Sequence, residues 1–82
     1  MKAPRITLYT TRNCPNCRRA KHYLKQKGMW FQELDVDQNT RAKKMFARLG
    51  ARAVPVVMIG DTRIDGFNRE LIDSALRQAN RY

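Results

Sequence analysis

Polar and apolar side chains alternate along Arg5-Ile6-Thr7-Leu8-Tyr9, the two-residue period of a half-buried strand. A polar stretch from Thr10 to Asn13 follows as a loop, and Cys14-Pro15 then opens a helix, because a proline at the first helical position has no N–H to lose. Cys17, Ala20, Tyr23, Leu24 and Lys27 recur at helical spacing, and Gly28 closes the segment. Met29 to Val36 reads as a second strand whose aromatic start, Met29-Trp30-Phe31, is expected to lead into the core. Thr40 is the expected N-cap of a second helix, with Ala42, Met45, Phe46 and Leu49 along one face and Gly50 at its end.

Val54-Pro55 interrupts the pattern. The unbroken apolar run Val56-Val57-Met58-Ile59 suits a strand covered on both faces. Gly60-Asp61 is a two-residue hairpin signal leading into Thr62-Arg63-Ile64. Gly66 turns the chain, Asn68 is placed to cap, and Leu71, Ile72, Ala75, Leu76 and Ala79 form the stripe of a last helix. The order β-α-β-α-β-β-α makes this an α/β protein with a four-stranded mixed sheet flanked by three helices. Its first crossover is right-handed. Folds of this kind place their chemistry where parallel strands feed helices.

The chain of 82 residues suits one domain, spanning 1–82. At this size folding buries only about 60–65% of the surface an open chain exposes, so the core is thin. With 43% apolar and 29% charged residues the composition is that of a globular protein. Lys and Arg number 17 against 7 Asp and Glu, a net charge of +10, which draws acidic partners without naming any chemistry. Aromatic residues are not interleaved with the basic ones as base-stacking requires, so nucleic acid is not the expected main partner. Neither a signal-peptide core nor an apolar run of membrane-spanning length is visible, which predicts a cytoplasmic protein without a membrane partner. In that reducing setting two cysteines three positions apart are not expected to form a permanent staple.

The chemistry therefore centres on Cys14 and Cys17. At the N-cap, Cys14 has free backbone N–H groups and the positive end of the helix dipole ahead of it. Both favour the thiolate, which is the nucleophile, and lower the pKa below the free thiol's ordinary range. Cys17 lies one turn inward on the same face and is expected to be more buried. The pair divides the work: Cys14 attacks a substrate disulfide and Cys17 resolves the mixed disulfide. Arg12, Arg18 and Arg19 are near enough in sequence to add to the stabilisation of Cys14, though most of them are expected to face water.

Other readings of the pair compete. A closed zinc site needs four ligands, and His22, the one histidine, falls roughly 140° around the helix from Cys17. A dimer-bridging iron–sulfur cluster needs few thiolates from each chain and stays open as an alternative. Inert buried cysteines conflict with the N-cap position and Pro15. Pro55 precedes a buried strand that must lie beside the Cys14 loop, and it cannot donate a ladder bond, which leaves the Val54 backbone free to pair with an extended substrate.

Taken together, Cys14-Pro15-Asn16-Cys17, Val54-Pro55 and Gly66-Phe67-Asn68 resemble the glutaredoxins, and especially the small glutaredoxin-like redoxins, from about Ile6 to Ala79. The resemblance implies a thioredoxin-like fold, a cis Pro55, Cys14 as nucleophile and Cys17 as resolving thiol, with Pro15, Asn16, Arg12 and Pro55 supporting the site. It implies no tightly bound cofactor, a monomer, and substrates such as protein disulfides, glutathione mixed disulfides or the disulfide of ribonucleotide reductase. Glutathione or thioredoxin reductase would supply electrons. Contacts to glutathione or substrate would fall on Arg12, Val54, Pro55, Gly66, Phe67 and Asn68.

The chain departs from the family pattern at several points. Asn16 stands where tyrosine is common, and Thr11 where a basic residue is frequent. Asp65-Gly66 replaces Gly-Gly, and Asn68-Arg69 replaces an acidic pair. Asp65 puts a negative charge near the expected place of a glutathione carboxylate. Gly-Phe followed by a polar residue is similar to redoxins fed by thioredoxin reductase. The alternative to an oxidoreductase is a redoxin that carries a cluster or binds a partner.

Overall fold

The computed structural model describes residues 4–79, so the ends of the expected 1–82 domain, residues 1–3 and 80–82, lie outside the described residues. The elements are β1 (Ile6–Thr10), α1 (Pro15–Gln26), β2 (Gln32–Asp35), α2 (Thr40–Leu49), β3 (Val56–Ile59), β4 (Thr62–Asp65) and α3 (Arg69–Ala79). Their order is the one the hydrophobic pattern predicts. The sheet runs β2-β1-β3-β4, with β1 and β2 parallel and the other two pairings antiparallel. This is the thioredoxin-like arrangement of a four-stranded mixed sheet and three helices.

The core divides at the sheet. On one face Ile6 and Leu8 of β1, with Val57, Ile59 and Ile64, pack with Ala20 and Leu24 of α1 and Ile72, Ala75 and Leu76 of α3. On the other face Tyr9, Val36 and Val56 form a smaller buried cluster, and half-buried Leu34, Phe46, Leu49, Ala51, Val54 and Met58 complete the layer beneath α2. β3 lies in the sheet interior, which is why its sequence is apolar at every position.

Several local expectations change. The second strand is limited to Gln32–Asp35, and Trp30 is 77% exposed rather than leading into the core, while Met29 and Phe31 on either side do pack against it. An edge strand is covered by one neighbour only, so a run of apolar residues at its start need not be buried throughout. Asn39, not Thr40, caps α2, its side chain accepting the Ala42 N–H at 3.0 Å. Either residue type caps well, and only the turn geometry selects between them. Met45 is 41% exposed and Leu71 51%, so each helical stripe is narrower than its periodicity suggests. Gly50 ends α2 in the left-handed conformation, φ +68°, where a side chain would be strained.

Candidate active site

β1 ends at Thr10, a short polar loop follows, and α1 begins at Pro15 with Cys14 as its N-cap in extended conformation. The Cys17 N–H donates to Cys14 Sγ at 3.1 Å, so the sulfur occupies the position a capping oxygen normally takes. Cys14 and Cys17 are joined as a disulfide with their Cα atoms 5.2 Å apart. Both are buried, Cys14 at 8% exposure and Cys17 at 2%, so Cys14 is the more accessible of the two.

The loop before β3 closes over this sulfur. The Val54–Pro55 peptide is cis, and the Val54 carbonyl oxygen lies 3.9 Å from Cys14 Sγ. Among the described residues neither the N–H nor the C=O of Val54 has a backbone partner. The Pro55 carbonyl accepts the Gly66 N–H at 2.8 Å, which brings the turn after β4 alongside. Gly66 has φ +82°, a conformation that favours glycine. Half-buried Phe67 meets Tyr23 edge to face at 6.0 Å. Asn68 caps α3, its Oδ1 accepting the Leu71 N–H at 3.0 Å.

An open cavity of about 510 Å³ adjoins Cys14, walled by Pro15 and Asn16 of α1, Val36, Phe46 of α2, and the Arg52-Ala53-Val54 loop, with Thr11 and Asn13 at its edge. Sequence reasoning did not reach Val36, Phe46, Arg52 or Ala53 as part of the site. Phe46 and Val36 carry the same signal as any core position. Arg52 had one usable cue, its place two residues before the Val54 backbone expected to pair with substrate. Of the expected residues, Cys14, Pro15, Asn16 and Val54 line this cavity, whereas Cys17, Pro55, Arg12, Gly66, Phe67 and Asn68 do not. Arg12, Arg18 and Arg19 are exposed, and Arg19 Nη1 donates to Asn16 Oδ1 at 3.3 Å rather than to either sulfur.

Two ionic clusters steady the surroundings. Arg63 holds Asp65 through Nε at 2.7 Å and Nη2 at 3.0 Å and also donates to the Leu49 carbonyl at the end of α2. The guanidinium holds the Asp65 carboxyl below its ordinary value, and Asp65 raises Arg63 in turn. Asp65 is thus no lone negative charge at the turn into Gly66. At the far end of α1, Tyr23 donates to Asp73 Oδ1 at 2.7 Å, and Lys27 Nζ lies 2.9 Å from the same oxygen and over the Tyr23 ring. Hydrogen bonds from Tyr23 and Lys27 hold Asp73 low, and the bond to Asp73 raises both partners.

The family model for glutaredoxin matches residues 6–64, which contain the cysteine pair and the cis-proline loop. The chain belongs to the glutaredoxin family. A glutaredoxin of Pseudomonas aeruginosa is 41% identical over 64 residues, 77% of this chain and 76% of the relative. The glutaredoxin-like protein NrdH of Escherichia coli is 33% identical over 69 residues, 84% of this chain and 85% of the relative. The solved structure of that NrdH-redoxin, described as having a thioredoxin-like activity profile, superposes with a TM-score of 0.78, covering 85% of this chain and 92% of the other at 33% identity. The chain is thus a glutaredoxin-family redoxin with a cysteine pair competent for dithiol chemistry. Among the described residues no helix is long and apolar enough to cross a membrane, and no group of three or more His, Cys, Asp or Glu is placed to hold a metal ion.

Proposed function

We propose that this glutaredoxin-family chain, acting as one domain over 1–82, reduces protein disulfides and glutathione mixed disulfides through a Cys14/Cys17 dithiol. The observation that carries the reading is the Cys14 sulfur at the α1 N-cap, receiving the Cys17 N–H at 3.1 Å beside an open cavity. In the reduced protein that N–H and the helix dipole favour the Cys14 thiolate over the thiol. The thiolate attacks one sulfur of a substrate disulfide, the substrate's S–S bond breaks, and one substrate thiolate leaves with the electron pair. Cys17, losing its proton to solvent, then attacks Cys14 Sγ. The mixed disulfide breaks, the second substrate thiolate leaves, and Cys14 and Cys17 are left as the disulfide, two electrons poorer.

The Val54 backbone, unpaired and next to Cys14, is the natural strand for an extended substrate segment to pair with, and Phe46 and Val36 offer it an apolar wall. Arg52 on the same wall gives a carboxylate of the substrate a partner. The electron source we favour is thioredoxin reductase. Asp65 and Asn68 replace residues through which glutathione-fed relatives hold the tripeptide, the Asn68 oxygen is already taken by the Leu71 N–H, and the similar NrdH-redoxin has a thioredoxin-like activity profile. The disulfide of ribonucleotide reductase, implied by the resemblance to the small glutaredoxin-like redoxins, is among the substrates we propose, with the cytoplasm as the setting.

Purified protein is expected to speed the reduction of insulin and of a small mixed disulfide, and Cys14→Ser to abolish both. Full activity in that variant removes the mechanism. Cys17→Ser keeps reaction with a glutathione adduct but stops dithiol turnover. Coupled separately to glutathione with its reductase and to thioredoxin reductase, the protein is expected to turn over with the second. Sustained turnover with glutathione alone reverses the choice of reductant.

A further inference from the structure

β1 and β2 are parallel, so Thr10 and Asp35 mark the cysteine end of the sheet and Gln32 the opposite end. Trp30 precedes Gln32, and α1 runs away from Cys14 to reach Lys25 after about 16 Å of helix. There α1 and the edge strand leave a wedge-shaped cavity of about 390 Å³, walled by Lys21, Lys25, Met29, Trp30, Phe31 and Glu33. Trp30 is the single tryptophan of the chain and its most exposed large apolar side chain among the described residues. Its neighbours Met29 and Phe31 pack against the main core, which fixes the backbone and leaves the indole standing outside.

Charge on this wedge is unbalanced. Glu33 is engaged twice, by Lys21 Nζ at 3.0 Å and by the Thr10 hydroxyl at 3.1 Å. Lys25 has no acidic partner among the described residues, and α1 contains no Asp or Glu at all. An exposed indole next to an unpaired ammonium, on a protein of net charge +10, is the composition of a recognition patch.

We propose that this wedge docks an acidic segment of a partner protein, one apolar side chain lying against Trp30 and a neighbouring carboxylate meeting Lys25. The volume takes one or two side chains, not a folded surface. A second copy of the chain would bring two +10 surfaces together. A nucleic acid needs a row of free cations and successive stacking rings. Here Lys21 is committed to Glu33, whose carboxylate stands in the same wall, and among the described residues Trp30 is the one exposed aromatic ring. Trp30 and Lys25 lie toward the end of the sheet away from the sulfurs, no residue of the wedge lines the cavity beside Cys14, and the proposal stands independently of the redox chemistry.

The lone tryptophan makes the test direct. The full chain is titrated with a short synthetic peptide rich in Glu with one central Phe, with the same peptide carrying Lys for Glu, and with an oligothymidylate. The acidic peptide is expected to shift Trp30 emission to shorter wavelength saturably, more weakly as salt rises, and the Lys peptide to leave it unmoved. By anisotropy of the labelled acidic peptide, Trp30→Ala and Lys25→Glu each weaken binding about tenfold. Both variants keep wild-type turnover of a small mixed disulfide, so failure here is separable from failure of the redox reading. No saturable shift, equal binding by either variant, preference for the oligothymidylate, or an emission change that follows protein concentration alone each overturns the proposal.

Discussion

The two faces of the sheet are built to different standards. Beneath α1 and α3, ten buried residues interlock, eight of them aliphatic side chains larger than alanine. Beneath α2, the buried cluster numbers three and the layer is finished by half-buried side chains. The difference falls where the chemistry is. Val36, Phe46 and Val54 belong both to the thin layer and to the cavity beside Cys14, so surface that would otherwise close the core is left open as a groove wall. One face carries stability and the other gives part of it up for access.

Substitutions on the two faces are expected to separate along this line. The largest effect is Leu24→Ala, which opens a hole in the thick layer and costs about 2–5 kcal/mol in chemical denaturation, with the rate on a small disulfide little changed under folding conditions. Phe46→Ala is expected to cost under about half of that, because the ring is only half buried, yet to raise KM for a protein disulfide about threefold to tenfold. A stability loss in Phe46→Ala equal to that of Leu24→Ala, with KM unmoved, removes the contrast.

Asn39→Ala unties the α2 N-terminus and is expected to lose about 1 kcal/mol, readable as an earlier melt. The smallest effect is one of pH. Asp73 titrates below its ordinary value of 3.8 in the folded chain, so the stability it adds is present above that value and drains as pH falls beneath it. Tyr23 and Lys27 are raised above 10.0 and 10.5, so their contribution holds below those values and is lost as pH climbs past them. Tyr23→Phe should flatten the alkaline limb slightly in pH-resolved melts. Since Lys27 is exposed and Tyr23 and Asp73 are only half-buried, screening keeps these changes small and salt should shrink them further.

What the sequence made legible was whatever repeats with a period or sits at a junction. The seven elements came from alternation, helical stripes and the glycines between them. The cysteines stood out because Cys14 precedes a proline that starts a helix. Exposure of Trp30, Met45 and Leu71 was not legible, since periodicity says which way a side chain points and not whether a neighbour is there to cover it. Nor were long-range ion pairs: Lys27 meets Asp73 across 46 positions, and no local rule links them. The Arg63 contact to the Leu49 carbonyl was equally out of reach, because it depends on how α2 crosses the sheet.

The Tyr23–Lys27–Asp73 cluster has a mechanical consequence for the sulfurs. It pins the tail of α1 to α3, and the Tyr23 ring also abuts Phe67, so the helix is held like a cantilever with its root in the thick layer and its tip at Cys14. A beam fixed in this way moves least along its length, and whatever rearrangement accompanies gain or loss of the sulfur–sulfur link is concentrated in the first turn. Amide exchange compared between the oxidised and reduced protein should therefore differ at Cys14 to Arg18 and stay the same from Tyr23 onward.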